Sequence, residues 1–251
     1  MSPALLSQDG RWWWDGTRWQ SRVVEGPLDT LWFTTTPDWL GRVAVTGLIG
    51  LIPIVGTINL LGWSLVATDM VRRGWRELPP AGFQYLERGV APFLVLFAYG
   101  LVFFFVIASL IGSAIAIVAA NPHQVAIAVV LAVVALALVI AWWLTMLYLT
   151  AAILIGSDRL GAARTIDPAR LFALARANHD VSLRVALIYG LASLGFAFVS
   201  IAVGFIVPFS GLLITIALPA VYAVLAPHLA AFRVDEPAPA PPPAAGAAPT
   251  P

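Results

Sequence analysis

The sequence predicts an all-α polytopic membrane protein of helical hairpins linked by amphipathic interfacial helices, with a small N-terminal β-hairpin. Residues 91–157 contain no Asp, Glu, Lys or Arg. At about 1.5 Å rise per residue, that run crosses a ~30 Å hydrocarbon layer more than twice. Only Asn121-Pro122-His123-Gln124 supplies turn material within it, so it divides into two apolar arms, a transmembrane hairpin. The whole chain agrees: 60% hydrophobic and 11% charged residues, with a mean hydropathy of +0.90, against about 25% charged in ordinary soluble domains.

Three regions are expected: a tryptophan-rich β-hairpin motif and linker over residues 1–37, a helical membrane domain over 38–233, and a disordered Pro/Ala-rich tail over 234–251. In the first, Asp15-Gly16 predicts a two-residue type I′ turn pairing Arg11 to Trp14 with Thr17 to Gln20. Trp12, Trp14 and Trp19 then share faces, and so small a hairpin must dock on a membrane surface, a partner or the rest of the chain. These three Trp are candidate partner-binding or surface-docking residues. Residues 1–37 carry Trp and charges rather than a basic start and an apolar core, so entry through the first hydrophobic segment, without cleavage, is expected.

Residues 43–68 form the first apolar segment, interrupted by Pro53-Ile54-Val55-Gly56. It reads either as a re-entrant hairpin, which keeps every Arg on one side, or as one kinked span. The residues around the break, Pro53, Gly56 and Asn59, form a candidate broken-helix site, because unwound backbone at membrane depth often lines a site. Residues 91–120 and 125–155 are the two long arms, and 185–207 and 212–232 a last pair divided by Pro208-Phe209-Ser210-Gly211. Two interfacial helices are expected between the hairpins. One leads from Leu78-Pro79-Pro80 through Phe83, Tyr85, Leu86 and Val90. The other starts at Asp167-Pro168, an N-cap followed by Pro at the first helical position, with Leu171, Phe172, Leu174 and Ala175 on its apolar side.

All fourteen basic residues are Arg, a composition expected of a GC-rich prokaryotic genome. Their placement threads the chain, since basic loops stay cytoplasmic: Arg72, Arg73, Arg76 and Arg88 share one connection and Arg159, Arg164, Arg170, Arg176 and Arg184 the next. The expected location is the cell membrane, multi-pass, with both termini cytoplasmic. Arg72, Arg73, Arg170 and Arg176 are candidate membrane-surface anchors. Asp69, one turn before Arg72, is expected to form a helical ion pair.

Little points to chemistry. Cysteine is absent, which excludes disulfides, thiolate metal sites and a Cys nucleophile. Three scattered His form no ligand set, and no phosphate loop, nucleophile elbow or paired midplane carboxylates occur. No catalytic residue, cofactor or metal site is expected, and the chain is not expected to be an enzyme. The expected partners are the lipid bilayer and other membrane proteins, without nucleic acid. The reading is a non-enzymatic membrane scaffold or a partner- and lipid-organising protein; the alternative is a small permease or transporter component using the broken helix.

Two resemblances add to this. Residues 10–20, Gly-Arg-Trp-Trp-Trp-Asp-Gly-Thr-Arg-Trp-Gln, resemble the short tryptophan-rich WWDGTRW-type motif of many actinobacterial membrane proteins. Gly50-Leu51-Ile52-Pro53-Ile54-Val55-Gly56, Leu60-Leu61-Gly62-Trp63, Val71-Arg72-Arg73-Gly74, Glu77-Leu78-Pro79 and Asp167-Pro168-Ala169-Arg170, with the stretch from Leu218 to His228, together resemble a family of prokaryotic integral membrane proteins, domain of unknown function 4013. The second resemblance covers about residues 37–233 and implies a multi-helix membrane domain.

Overall fold

A computed structural model describes residues 12–14, 19–21, 27–75, 77–204 and 210–234. Strands β1 (Trp12–Trp14) and β2 (Trp19–Ser21) pair antiparallel, with Trp14 opposite Trp19 and Trp13 opposite Gln20. The predicted two-residue turn would have set Trp14 opposite Thr17. The register is therefore displaced by two residues. Residues 15–18, which hold the predicted turn, lie outside the described residues, as do 205–209 in the predicted last turn and the tail from 235.

From Pro27 onward every regular element described is helical. A 3-10 helix over Pro27–Thr35 leads into α1 (Trp39–Gly50) and α2 (Val55–Arg72). The interruption at residues 53–56 is a reversal between two helices rather than a kink in one span. Val55 N–H donates to the Pro53 carbonyl at 2.7 Å across Ile54, whose φ is +64°. That is a γ-turn of the strained, positive-φ kind, held here by a β-branched residue. Gly56 sits in the fold, where a Cβ would meet the Ile49 carbonyl at 2.3 Å.

Helices α3 (Leu86–Ala120) and α4 (Val125–Leu160) are the two long arms, each over 50 Å by rise. They are joined at the predicted turn: Pro122–Gln124 is a single 3-10 turn, and the Asn121 side chain accepts from the His123 N–H at 3.1 Å. A short α5 (Ala162–Thr165) precedes α6 (Pro168–Ala177), whose predicted N-cap is present: Asp167 accepts from the Ala169 N–H at 3.0 Å. Helices α7 (His179–Gly204) and α8 (Ser210–Ala230) complete the chain.

The expected first interfacial helix does not form. Residues 77–85 are an irregular strap lying back along α2, and Leu86 already belongs to α3. Consecutive prolines at 79 and 80 oppose a helix, and the strap has specific anchors. Leu78 N–H donates to Thr36 Oγ1 at 3.1 Å, Arg42 donates to the Leu78 carbonyl, and Trp63 Nε1–H reaches the Pro79 carbonyl at 3.4 Å. The strap delivers α3 against α2 where glycine meets glycine. A Cβ on Gly89 would lie 1.7 Å from the Ile58 carbonyl, and one on Gly62 1.9 Å from that of Tyr85. Only bare backbone permits so close a crossing.

Five helices close a ring: α2 packs on α3, α3 on α4, α4 on α7, α7 on α8, and α8 on α2, with α1 seated on α8 and α2. Trp63, Leu65, Leu149, Ile153, Leu225 and Leu229 fill its interior. Proline in α8 helps to fasten the amino-terminal segment. Pro227 has no N–H to give the carbonyl four residues earlier, and that free carbonyl, on Ala223, accepts the Trp32 indole N–H at 2.8 Å. Beyond the ring the α3–α4 arm continues as a two-helix projection with exposed apolar flanks, Phe104 being 63% and Val133 60% accessible. Three helices, Leu86–Ala120, Val125–Leu160 and the His179–Ser200 part of α7, are long and apolar enough to cross a membrane.

Candidate functional site

The described charged side chains that meet across helices gather at one end of the ring. Arg88, near the start of α3, and Asp158, near the end of α4, stand almost symmetrically about the 121–124 turn, so antiparallel helices of equal rise bring them level. Arg88 grips the Asp158 carboxylate with two bonds, Nε to Oδ1 and Nη2 to Oδ2, both 2.7 Å. The same Nη2 reaches Asp69 Oδ2 on α2 at 2.6 Å. Bidentate guanidinium–carboxylate pairing of this kind fixes orientation as well as distance. Arg159 adds a bond to Asp69 Oδ1 at 3.1 Å and lies 3.8 Å from Asp158. One cluster thus ties the ends of α2, α3 and α4 together.

Arg72 extends the cluster to α8. It pairs with Asp69 at 3.3 Å, as the sequence spacing predicts, and turns inward. Its Nε donates to the Ala230 carbonyl at 3.1 Å, and its Nη2 to those of Leu229 and Phe232 at 3.3 and 3.2 Å. These carbonyls lie in the last turn of α8 and just beyond it, at the negative end of its dipole, and that of Leu229 also accepts the Phe232 N–H at 3.1 Å. Arg72 is therefore a C-terminal cap supplied by another helix.

Burial by itself would raise the Asp69 carboxyl. The Arg88 hydrogen bond and the charges of Arg88, Arg159 and Arg72 outweigh it and hold that carboxyl below its ordinary value. The group is thereby kept ionised, which suits an electrostatic clamp and not a proton carrier. The cluster of three Arg and two Asp carries a formal charge of +1.

The remaining sequence candidates fall elsewhere. Arg73, Arg170 and Arg176 are exposed, the last two on α6. Pro53 lies exposed at the α1–α2 reversal, whereas Gly56 and Asn59 face inward on α2. Asn59 is fully buried; its Nδ2 donates to the Gly82 carbonyl at 2.9 Å, and its Oδ1 has no hydrogen-bond partner among the described residues. Trp12, Trp14 and Trp19 lie on the paired strands, their side chains outside the described part.

Sequence reasoning found the Asp69–Arg72 pair and missed the links of Arg88, Asp158 and Arg159. The available signal was hairpin symmetry: once the 121–124 turn is placed, counting outward along both arms makes Arg88 meet Asp158. The Arg72 cap of α8 had no such signal, because it depends on the ring closing. No family model matches this chain, and neither a curated protein nor a solved structure matches it.

Proposed function

We propose that this chain is a multi-pass protein of the cytoplasmic membrane that acts without catalysis, as a scaffold holding partner membrane helices or lipids. The observation that carries the reading is the polarity of the α3–α4 pair. Its charged base is locked to α2 and, through Arg72, to α8. Its far part carries no charge and exposes mainly apolar side chains, with Ser109, whose hydroxyl donates to the Phe105 carbonyl at 2.8 Å, and Ser113 among them. An apolar surface of that extent needs lipid or another protein against it.

The dimensions agree with a bilayer. The part of α3 beyond Tyr99 has a rise of about 30 Å, which matches the hydrocarbon thickness. Tyr99 and Tyr148 mark its base, their hydroxyls donating to the Ile166 and Ala175 carbonyls at 2.9 and 3.3 Å. Tyrosines at that level, beside an α6 with exposed Arg170 and Arg176, suit the headgroup boundary. In this frame the charge cluster lies on the cytoplasmic side, and α1–α2 is a re-entrant hairpin whose apolar tip, Ile52 and Ile54, dips into the leaflet. The Trp-rich hairpin is then a docking element on the same side, and membership of the domain of unknown function 4013 family is part of the proposal.

Topology reporters fused after Trp19, Gly56, Arg76 and His123 test the threading. Cytoplasmic signals at Trp19 and Arg76 with an external one at His123 are expected; a cytoplasmic signal at His123 would remove the span and the scaffold with it. Capture from mild detergent tests the role, and a protein recovered repeatedly alone, with no bound lipid, speaks against it. The transport alternative has one observation in its favour, the unpartnered Asn59 Oδ1. Solute uptake into liposomes that is lost with Asn59→Leu would favour it over the scaffold.

A further inference from the structure

Inside the ring lies a cavity of about 260 Å³, and every helix of the ring contributes to it: Leu61 from α2, Leu96 from α3, Met146 from α4, Ser193 from α7 and Tyr222 from α8. A void of this size is unusual in a packed interior, and it exceeds the ~150 Å³ apolar cavity that admits benzene. We infer that it is a binding site for one hydrocarbon chain, the acyl tail of a bilayer phospholipid.

Three features select that occupant. No charged residue lines the cavity. Of its four hydroxyls, that of Thr150 donates to the Met146 carbonyl at 2.8 Å and that of Ser193 to the Tyr189 carbonyl at 2.7 Å, while Tyr189 and Tyr222 are hydrogen-bonded to each other. A polar solute would lose its water there for little return, whereas a methylene chain loses nothing. The third feature is position. Along α4 the lining runs from Trp143 to Leu154, a rise of about 16 Å, and so straddles the level of Tyr148. Trp143, Met146 and Thr150 on α4 are half-buried, as are Tyr189 and Ser193 on α7, so the cavity opens at the surface between these two candidate spans. A tail rising from the adjoining leaflet can enter there without crossing the charged end of the ring.

The site rests on the membrane placement proposed above, and the test separates the two. The full chain is reconstituted in phosphatidylcholine vesicles containing a phosphatidylcholine with a diazirine at the end of one acyl chain. After illumination, the labelled residues are mapped by mass spectrometry. Label on residues 143–154 and 189–193 exceeding that on the exposed flank at 101–116 by about threefold is expected, since a pocket holds its ligand where a flank only brushes it. Ser193→Phe and, on a different helix, Thr150→Phe fill the cavity and should abolish that excess while leaving the flank labelled. Even labelling along both regions, or an excess that survives in folded filled variants, overturns the site. If neither variant folds, the wild-type map decides alone. A chain that stays out of the vesicles altogether instead strikes the membrane placement, and the site falls with it.

Discussion

Replacing Arg88 by Met tests the claim that one guanidinium holds the charged end of the ring together. The side chain makes three bonds of 2.6 to 2.7 Å to two carboxylates that are themselves largely covered, Asp69 being 19% and Asp158 9% accessible. Stranding a buried charge by removing its partner costs about 3–5 kcal/mol. Here Asp69 keeps Arg72 and Arg159, and Asp158 keeps Arg159 at 3.8 Å. The lower end, about 3 kcal/mol, is therefore expected. At about 2–4 °C per kcal/mol for a chain of this size, Tm falls by about 6–12 °C. The assay is thermal unfolding in detergent, followed by Trp fluorescence. Adding Asp158→Asn neutralises the stranded carboxylate, so the double variant loses less than the sum of the two single losses. A drop for Arg88→Met below about 2 °C, or strict additivity in the double variant, refutes the clamp.

Four further outcomes follow from the geometry. The depressed Asp69 carboxyl gives stability that is full above its ordinary pKa of 3.8 and lost as pH falls through the lower folded value; below that point wild-type Tm should converge on that of Asp69→Asn, and a Tm difference that persists unchanged in acid would contradict the assignment. Gly89→Ala should abolish monodisperse protein, since its Cβ would sit 1.7 Å from the Ile58 carbonyl, whereas Gly112→Ala, which meets nothing within 4 Å, should elute like wild type. Ile54→Gly relieves a strained turn of about 1–3 kcal/mol at some cost in chain entropy, so a Tm rise of about 2–4 °C is expected, and a fall would mean that the isoleucine matters more than its backbone. Asn178→Ala deletes a reciprocal pair, in which the side chain donates to the Arg233 carbonyl and accepts the Arg233 N–H, both at 2.8 Å; hydrogen exchange at the Arg233 amide should then accelerate by about tenfold, as for a loss of about 1.4 kcal/mol.

The elements that the chain announces are those set by local or periodic signals. The charge-free run, the Asn121-Pro122 turn and the Asp167-Pro168 cap each act through neighbours a few residues away, and each appears where the sequence placed it. The stretch at 78–90 misled because its interleaved apolar residues imitate an amphipathic helix. In the fold, Leu78 is buried by partners at Thr36 and Arg42, far away in sequence, while Leu86 and Val90 serve α3. The hairpin register failed for a related reason, since Asp15-Gly16 suits a tight turn but four residues separate the strands. For the charge cluster the composition was visible and the partnering was not, because Arg72 finds the end of α8 only after about 160 intervening residues have closed the ring.

Helix α4 shows why hydrophobicity by itself could not draw the boundary between lipid and protein. Its first half, rich in Val, Leu and Ile, is mostly exposed, and its second half from Leu147 to Ser157 is mostly enclosed, yet both are apolar. What changes is side-chain size and partnering. Ala151, Ala152, Gly156 and Ser157 let neighbouring helices come close; a Cβ on Gly156 would already meet the Leu174 and Thr165 side chains at 3.3 Å. Among lipid tails, burying apolar surface gives helices little reason to associate, and close packing and directional bonds must do so instead. On the membrane placement proposed above, the ring is therefore specified by few contacts: the Gly62–Gly89 crossing, the Trp32 bond to the carbonyl freed by Pro227, the Arg72 cap and the Arg88 clamp. Whereas a Cβ at the glycine crossing blocks the approach of α3 to α2 outright, losing one of the three bonded contacts should loosen the helices it joins and leave the others folded. That differs from a water-soluble core, where one shared apolar interior makes unfolding all-or-none.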